Sequence, residues 1–214
     1  MVSKQGNVYL QKAISLVEEI RRRESENIAA AARIIAESVA SGRMCYHCDI
    51  GHMLPAETAP GRRGRPKFVV PVAYRLDEME RLSAGDVLVF GSVLGVFALS
   101  VDMADCARAR GAKVIYIGSP QPKEQDALTN QQQMTKRQSV VLVPPQHPSG
   151  RRMSDAADVV INTHVPYTDG CVEIPGRNTP ACPLSGVANA VVFWSLMSET
   201  VELLVKRGYR VDVD

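Results

Sequence analysis

The sequence predicts a doubly wound α/β sandwich preceded by two helices. Three observations carry this. Five short apolar runs, "RMCYHC", "KFVVPV", "DVLVF", "AKVIYIG" and "ADVVIN", are rich in valine and isoleucine and lack the alternation of half-exposed strands. Strands buried on both faces of a parallel sheet have that texture. Helical patterns stand between the runs, as right-handed crossovers require. Upstream lie two helical segments with no strand between them.

The first helix is marked by Val8, Leu10, Ile14, Val17 and Ile20, which fall on one face over residues 8 to 22. The alanine-rich "ESENIAAAARIIAESVASG" supplies the second, ending at Gly42, a residue suited to a left-handed C-cap. Residues 43 to 214 then hold the α/β core. Helices are expected there at 53 to 59, from Val96 to Arg110, at "RRMSDAA" and from Leu184 to Arg207. Residues 121 to 146, glutamine-rich and ending in an apolar run and two prolines, interrupt the rhythm and read as an excursion at the rim of the sheet. One domain, 1 to 214, is expected from the length.

Composition narrows the function classes. Apolar residues at 45% and charged residues at 22% are ordinary for a soluble protein, and no run of about 18 apolar residues suggests a membrane span. The N-terminal stretch "MVSKQGNVYLQKAISLVEEIRRRE" does not read as a signal peptide, so the cytoplasm is the expected compartment. A net charge of +2 implies no polyanionic partner. The segment "GRRGRPK" contains a core that can enter the minor groove of DNA when it lies in a disordered tail. Here it feeds a buried strand, and no nucleic-acid partner is expected. Five cysteines, Cys45, Cys48, Cys106, Cys171 and Cys182, lack a framework spacing and read as reduced thiols.

In an open parallel sheet ligands bind beyond the carboxyl ends of the strands. The first loop there belongs to "CYHCDIGHM", residues 45 to 53. Its C-x2-C pair raises zinc, but no second pair follows, and alternation along a strand sends Cys45 and Cys48 to opposite faces. No cofactor is expected, with zinc as the alternative. As a strand-to-helix loop the stretch makes better sense: Gly51 permits close backbone approach, and free amides at a helix start attract anions. Glu57 projects from the helix that follows, a place where a carboxylate can shuttle a proton. The second loop, "FGSVLGV", offers one hydroxyl, Ser92, among apolar neighbours. The third segment, "HPSGRRMSDAADVVINTHVPYTDG", brings His147, Ser149, Arg151 and Arg152, with His164 and Asp169 beyond its strand. Histidines there can act as acid or base near neutral pH.

The order of elements, with "GHMLPAE", "GAKVIYIGS" and above all "HPSGRRMSDAADVVINTHVPYTDG", resembles the sugar isomerase (SIS) domain family over residues 8 to 209. It is most similar to bacterial members related to phosphoheptose isomerases and N-acetylmuramic acid 6-phosphate etherases. The resemblance implies a three-layer sandwich with a five-stranded parallel sheet. It also implies assembly through helices as a homodimer or homotetramer, and a phosphosugar site made by strand-end loops, often completed by a neighbouring subunit. Position by position, the family's first ligand loop falls on His47 to His52, its carboxylate on Glu57, its second loop on Gly91 to Gly95 and its third on His147 to Gly150. Two departures stand out: the first loop carries an acidic Asp49, and the second keeps one serine where relatives have more hydroxyls.

The expected function is therefore a sugar-phosphate or related carbohydrate isomerase or lyase working by proton transfer next to a carbonyl. The alternative is a non-catalytic sugar-binding or regulatory module. The expected catalytic residues are Glu57, His52 and His164. The expected substrate-binding residues are His47, Asp49, Gly51, Ser92, His147, Ser149 and Asp169.

Overall fold

The computed structural model describes residues 4–50, 55–120 and 147–214. The expected excursion at 121 to 146 lies outside the described residues. Helix α1 runs unbroken from Lys4–Ala40, about 55 Å at 1.5 Å per residue. The two expected helices are thus one. The polar link "RRRESEN" contains neither glycine nor proline, and ion pairs Arg21–Glu18 and Arg23–Glu19 at helical spacing stabilise its exposed face. The helix ends as anticipated at Gly42, with φ +72° and the Arg43 amide donating to the Ser38 carbonyl.

All five apolar runs form strands: β1 (Cys45–Asp49), β2 (Val69–Pro71), β3 (Val87–Gly91), β4 (Lys113–Gly118) and β5 (Val159–Asn162). They make one parallel sheet in the order β2-β1-β3-β4-β5. Between and after them stand α2 (Pro55–Thr58), α3 (Ala98–Ala109), α4 (Met153–Ala156) and α5 (Ser185–Lys206). A short 3-10 turn, Leu76–Arg81, precedes β3. An antiparallel hairpin of β6 (Gly170–Val172) and β7 (Ala181–Pro183) leads into α5. The apolar runs gave no sign of this hairpin.

Side-chain alternation divides the interior. Cys45, Val87, Val89, Ile115, Ile117 and Ile161 pack under α1 and α5, against Ile35, Val192, Phe193 and Leu196. On the other face Cys48, Leu88, Phe90 and Tyr116 pack under α3, against Val101, Met103 and Ala104. The C-x2-C cysteines therefore sit on opposite faces and share no ligand position. Among the described residues no cluster of three histidine, cysteine or acidic side chains could hold a metal ion. Helix α5 is long and apolar enough to cross a membrane by length and composition. Its inner residues are instead spent on this core.

The basic segment "GRRGRPK" is built into the fold. Arg65 is buried, with Nη2 2.6 Å and Nε 2.8 Å from the Asp214 carboxylate, and its Nη1 donates to the Val69 carbonyl. The chain at 212 to 214 lies along it, the Gly64 amide donating to the Asp214 carbonyl and the Lys67 amide to that of Asp212.

Candidate functional site

From β1 the chain crosses outward to β2 and returns on the other side to β3. The switch point of strand order is the β1/β3 boundary, where open α/β sheets bind their ligands. Four residues frame it: Asp49 and Ile50 at the end of β1, Gly91 and Ser92 at the end of β3. Asp49 and Gly91 are register partners. A Cβ placed on Gly91 would stand 2.7 Å from Asp49 Oδ1, so only glycine leaves room for this carboxylate beside the sheet.

His47 lies within β1 rather than in the loop after it, because its main chain is held on both sides: the register pairs it with Pro71 and Val89. The side chain is buried, its ring centroid 4.9 Å from that of Phe193 on α5. Burial lowers its pKa from 6.5 to about 4, so His47 is neutral at physiological pH. The unfolded chain accordingly binds the extra proton first. This contribution to stability is complete above pH 6.5 and is lost as pH falls toward 4, at roughly 1 kcal/mol per pH unit. His47→Leu is expected to flatten that part of the pH dependence of urea unfolding; an unchanged slope would remove His47 as its source.

Glu57, on α2, is held by two donors. Trp194 Nε1 donates to Oε2 at 3.0 Å, and Arg62 Nη2 lies 3.2 and 3.3 Å from the two oxygens. Trp194 packs edge-on against Phe193, centroids 5.2 Å apart, so an aromatic line runs from His47 through α5 to Glu57. His52 and Gly51 lie outside the described residues.

Ser92 is buried, and its Oγ accepts the Gly95 amide at 3.3 Å while its carbonyl accepts Tyr116 Oη at 2.9 Å. The hydroxyl expected for an anion thus closes its own turn. In the third segment His147 Nδ1 is 2.6 Å from Ser149 Oγ and its Nε2 is 3.2 Å from Asp102 on α3. Arg151 pairs with Asp105 on the same helix. These residues dock α3, on the layer opposite His47 and Phe193.

His164 and Asp169 follow β5, three strand positions from β1, or about 14 Å at the usual strand spacing. The His164 Nε2 is 2.8 Å from Glu24 of α1, a buried carboxylate that also accepts the Asn162 amide at 3.1 Å and Asn27 Nδ2 at 2.8 Å. His164 has φ +54°, a left-handed conformation that non-glycine residues enter only where surroundings enforce it. Glu24→Ala would strand all three donors. It is expected to cost about 3 kcal/mol in urea unfolding; a midpoint equal to that of the parent would show that the Glu24–His164 link contributes nothing. Asp169 caps α5, its Oδ1 accepting the Leu184 and Ser185 amides at 3.0 and 2.9 Å and its Oδ2 the Ser185 hydroxyl at 2.7 Å.

Sequence reasoning missed three contributors. Trp194 and Glu24 orient site candidates from helices far away in the chain. Asn189 sits one turn before Phe193 on the same face of α5, fully buried, and neither of its amide atoms has a hydrogen-bond partner among the described residues. The same holds for Thr163 Oγ1 and His47 Nε2. An asparagine inside an apolar helix was the available signal.

Comparison with solved structures shows the fold. A phosphoheptose isomerase from Francisella tularensis superposes with a TM-score of 0.56 over 96% of this chain and 100% of its own, at 11% identity. One from Neisseria gonorrhoeae gives 0.53 over 91% and 94%, at 14% identity. The chain has a SIS-like fold. By sequence, a UPF0309 protein of Streptomyces griseus is 28% identical over 96% of this chain and 86% of its own length. No family model matches the chain. The SIS-like sandwich explains why the strand ends, rather than a C-x2-C pair, collect the polar residues.

Proposed function

We propose that the protein is a sugar-phosphate or related carbohydrate isomerase or lyase that moves a proton next to a carbonyl. One observation carries the reading: a carboxylate, Glu57, is fixed by two donors on the helix that leaves the switch point of a SIS-like sheet. Glu57 takes the proton from the carbon beside the carbonyl and returns it to the neighbouring carbon of the enediol; in the elimination variant the electron pair left by that proton forms the double bond and expels the leaving oxygen, which an acid protonates. His47, neutral and buried, and the amide of Asn189 suit sugar hydroxyls better than charge. The two superposed structures are both phosphoheptose isomerases, which agrees with this class. A homodimer or homotetramer belongs to the same reading, supported by Leu10 and Ile14, which α1 leaves 48% and 63% exposed.

The reaction is tested by incubating the purified chain in deuterated water with phosphorylated aldoses and ketoses and their unphosphorylated counterparts. Deuterium entering at the carbon beside the carbonyl is the expected result. Binding of a sugar without exchange, in all of them, would replace this reading with a second one, a non-catalytic sugar-binding module. That alternative is favoured by a specific observation: the only hydroxyl of the second loop, on Ser92, is turned into its own backbone.

A further inference from the structure

The β6–β7 hairpin pairs Gly170 with Pro183 and Val172 with Ala181. Cys171 and Cys182 are therefore left facing each other between the two pairs. Facing positions on antiparallel strands hold their Cβ atoms about 4.5 to 5.5 Å apart, and a disulfide needs about 3.5 to 4.5 Å. The gap is about an ångström, in a hairpin of two three-residue strands.

The same register sends both side chains to one face of the hairpin. The pKa of Cys171 is raised first by burial and then by the charge of Cys182. Tyr9 of α1, whose hydroxyl donates to the Pro183 carbonyl at 3.0 Å, has its pKa raised by burial and then by Cys171, Cys182 and Asp169 in turn. Their exposures differ: Cys182 is exposed and Cys171 partly buried. Cys182 also has φ +63°, a strained backbone for a residue other than glycine. The other cysteines are placed otherwise. Cys45 and Cys48 are buried, with pKa values pushed up to about 12 chiefly by burial, and Cys106 lies on α3 in the opposite layer.

We propose that Cys171 and Cys182 form a reversible dithiol–disulfide pair, a modification site for hydroperoxides. The exposed Cys182 thiolate attacks the outer oxygen of ROOH; the O–O bond breaks, ROH leaves with the thiol's proton, and sulfur becomes sulfenic acid. The Cys171 sulfur then attacks that sulfur, forming S–S and releasing water. Two thiols and one hydroperoxide give one disulfide, one alcohol and one water. An external dithiol reverses the change. The bond closes two residues from each end of the contact in which Asp169 caps Leu184 and Ser185, so oxidation clamps the start of α5.

The full chain treated with a small excess of hydrogen peroxide, then with an alkylating agent, is expected to lose two of its five free thiols. Trypsin cuts after Arg177, between the two cysteines. Peptides 153–177 and 178–206 are expected to travel as one cross-linked species that dithiothreitol separates. In Cys171→Ser, Cys182 is expected to remain as a sulfenic acid captured by dimedone. Oxidation of Cys106 before either, or passage of Cys182 to sulfinic acid in the parent with no linked peptide, would overturn the pairing. Because the mapping is done on the parent chain, the conclusion does not depend on the variant folding.

Discussion

Gly118→Ala is expected to destabilise the fold by about 3 kcal/mol or more. A Cβ at this position falls inside the contact distance of the Ser92 carbonyl and of the Tyr116 hydroxyl and ring. Neither can step aside. The Ser92 carbonyl is main chain at the end of β3, with the Ser92 amide bonded to the Ile117 carbonyl at 3.0 Å. Tyr116 is fully buried and donates to that same carbonyl. The methyl therefore has to push apart two central strands. Overpacking a well-filled core costs about 1 to 3 kcal/mol, and a backbone clash belongs at or beyond the upper end. The measurement is the urea midpoint, or the soluble yield if no transition is seen. A midpoint within about 1 kcal/mol of the parent would mean that β3 and β4 are not packed as described.

Glu57→Gln is expected to lower exchange of the substrate proton by about 10² to 10⁴ while leaving sugar affinity within a few-fold. The substitution keeps the side chain's shape and one acceptor oxygen for Trp194, and removes the charge that takes the proton. Trp194→Phe separates positioning from chemistry. It keeps the packing against Phe193 but deletes the Nε1 donor, so exchange should fall less than in Glu57→Gln and by more than any change in stability accounts for. Equal exchange in Glu57→Gln and the parent would move the base elsewhere and leave the SIS-like fold untouched. Loss of binding together with exchange would instead make Glu57 a ligand anchor.

The frame of the molecule was legible because buried parallel strands leave a local signature. "DVLVF" and "AKVIYIG" declare themselves as β3 and β4 without reference to any partner. The division of α1 into two was an error of the same local kind: the apolar face over residues 8 to 22 and the alanine-rich stretch after it read as separate segments, but "RRRESEN" contains neither glycine nor proline, the residues most costly inside a helix. The β6–β7 hairpin escaped notice because three-residue strands carry no periodicity. At the site, proximity to strand ends was readable and orientation was not. Ser92 looked like a free hydroxyl until the Gly95 amide was seen to occupy it, and His164 looked available until Glu24, 140 residues away in the chain, was found holding its ring. Such pairings are decided by packing between helices and sheet, which no short window contains.

The layer that covers one face of the sheet is made from α1 and α5, the earliest and latest helices described. During synthesis the strands emerge long before α5 does. Val87, Val89, Ile115, Ile117 and Ile161 then line an apolar surface that α1 can shield only in part. A ribosome-bound chain ending before Ser185 should bind hydrophobic-surface chaperones, and release should follow extension through Lys206. The enclosure of the core is thus a late, non-local event, and assembly of this protein should be slow for its size and sensitive to pauses in translation.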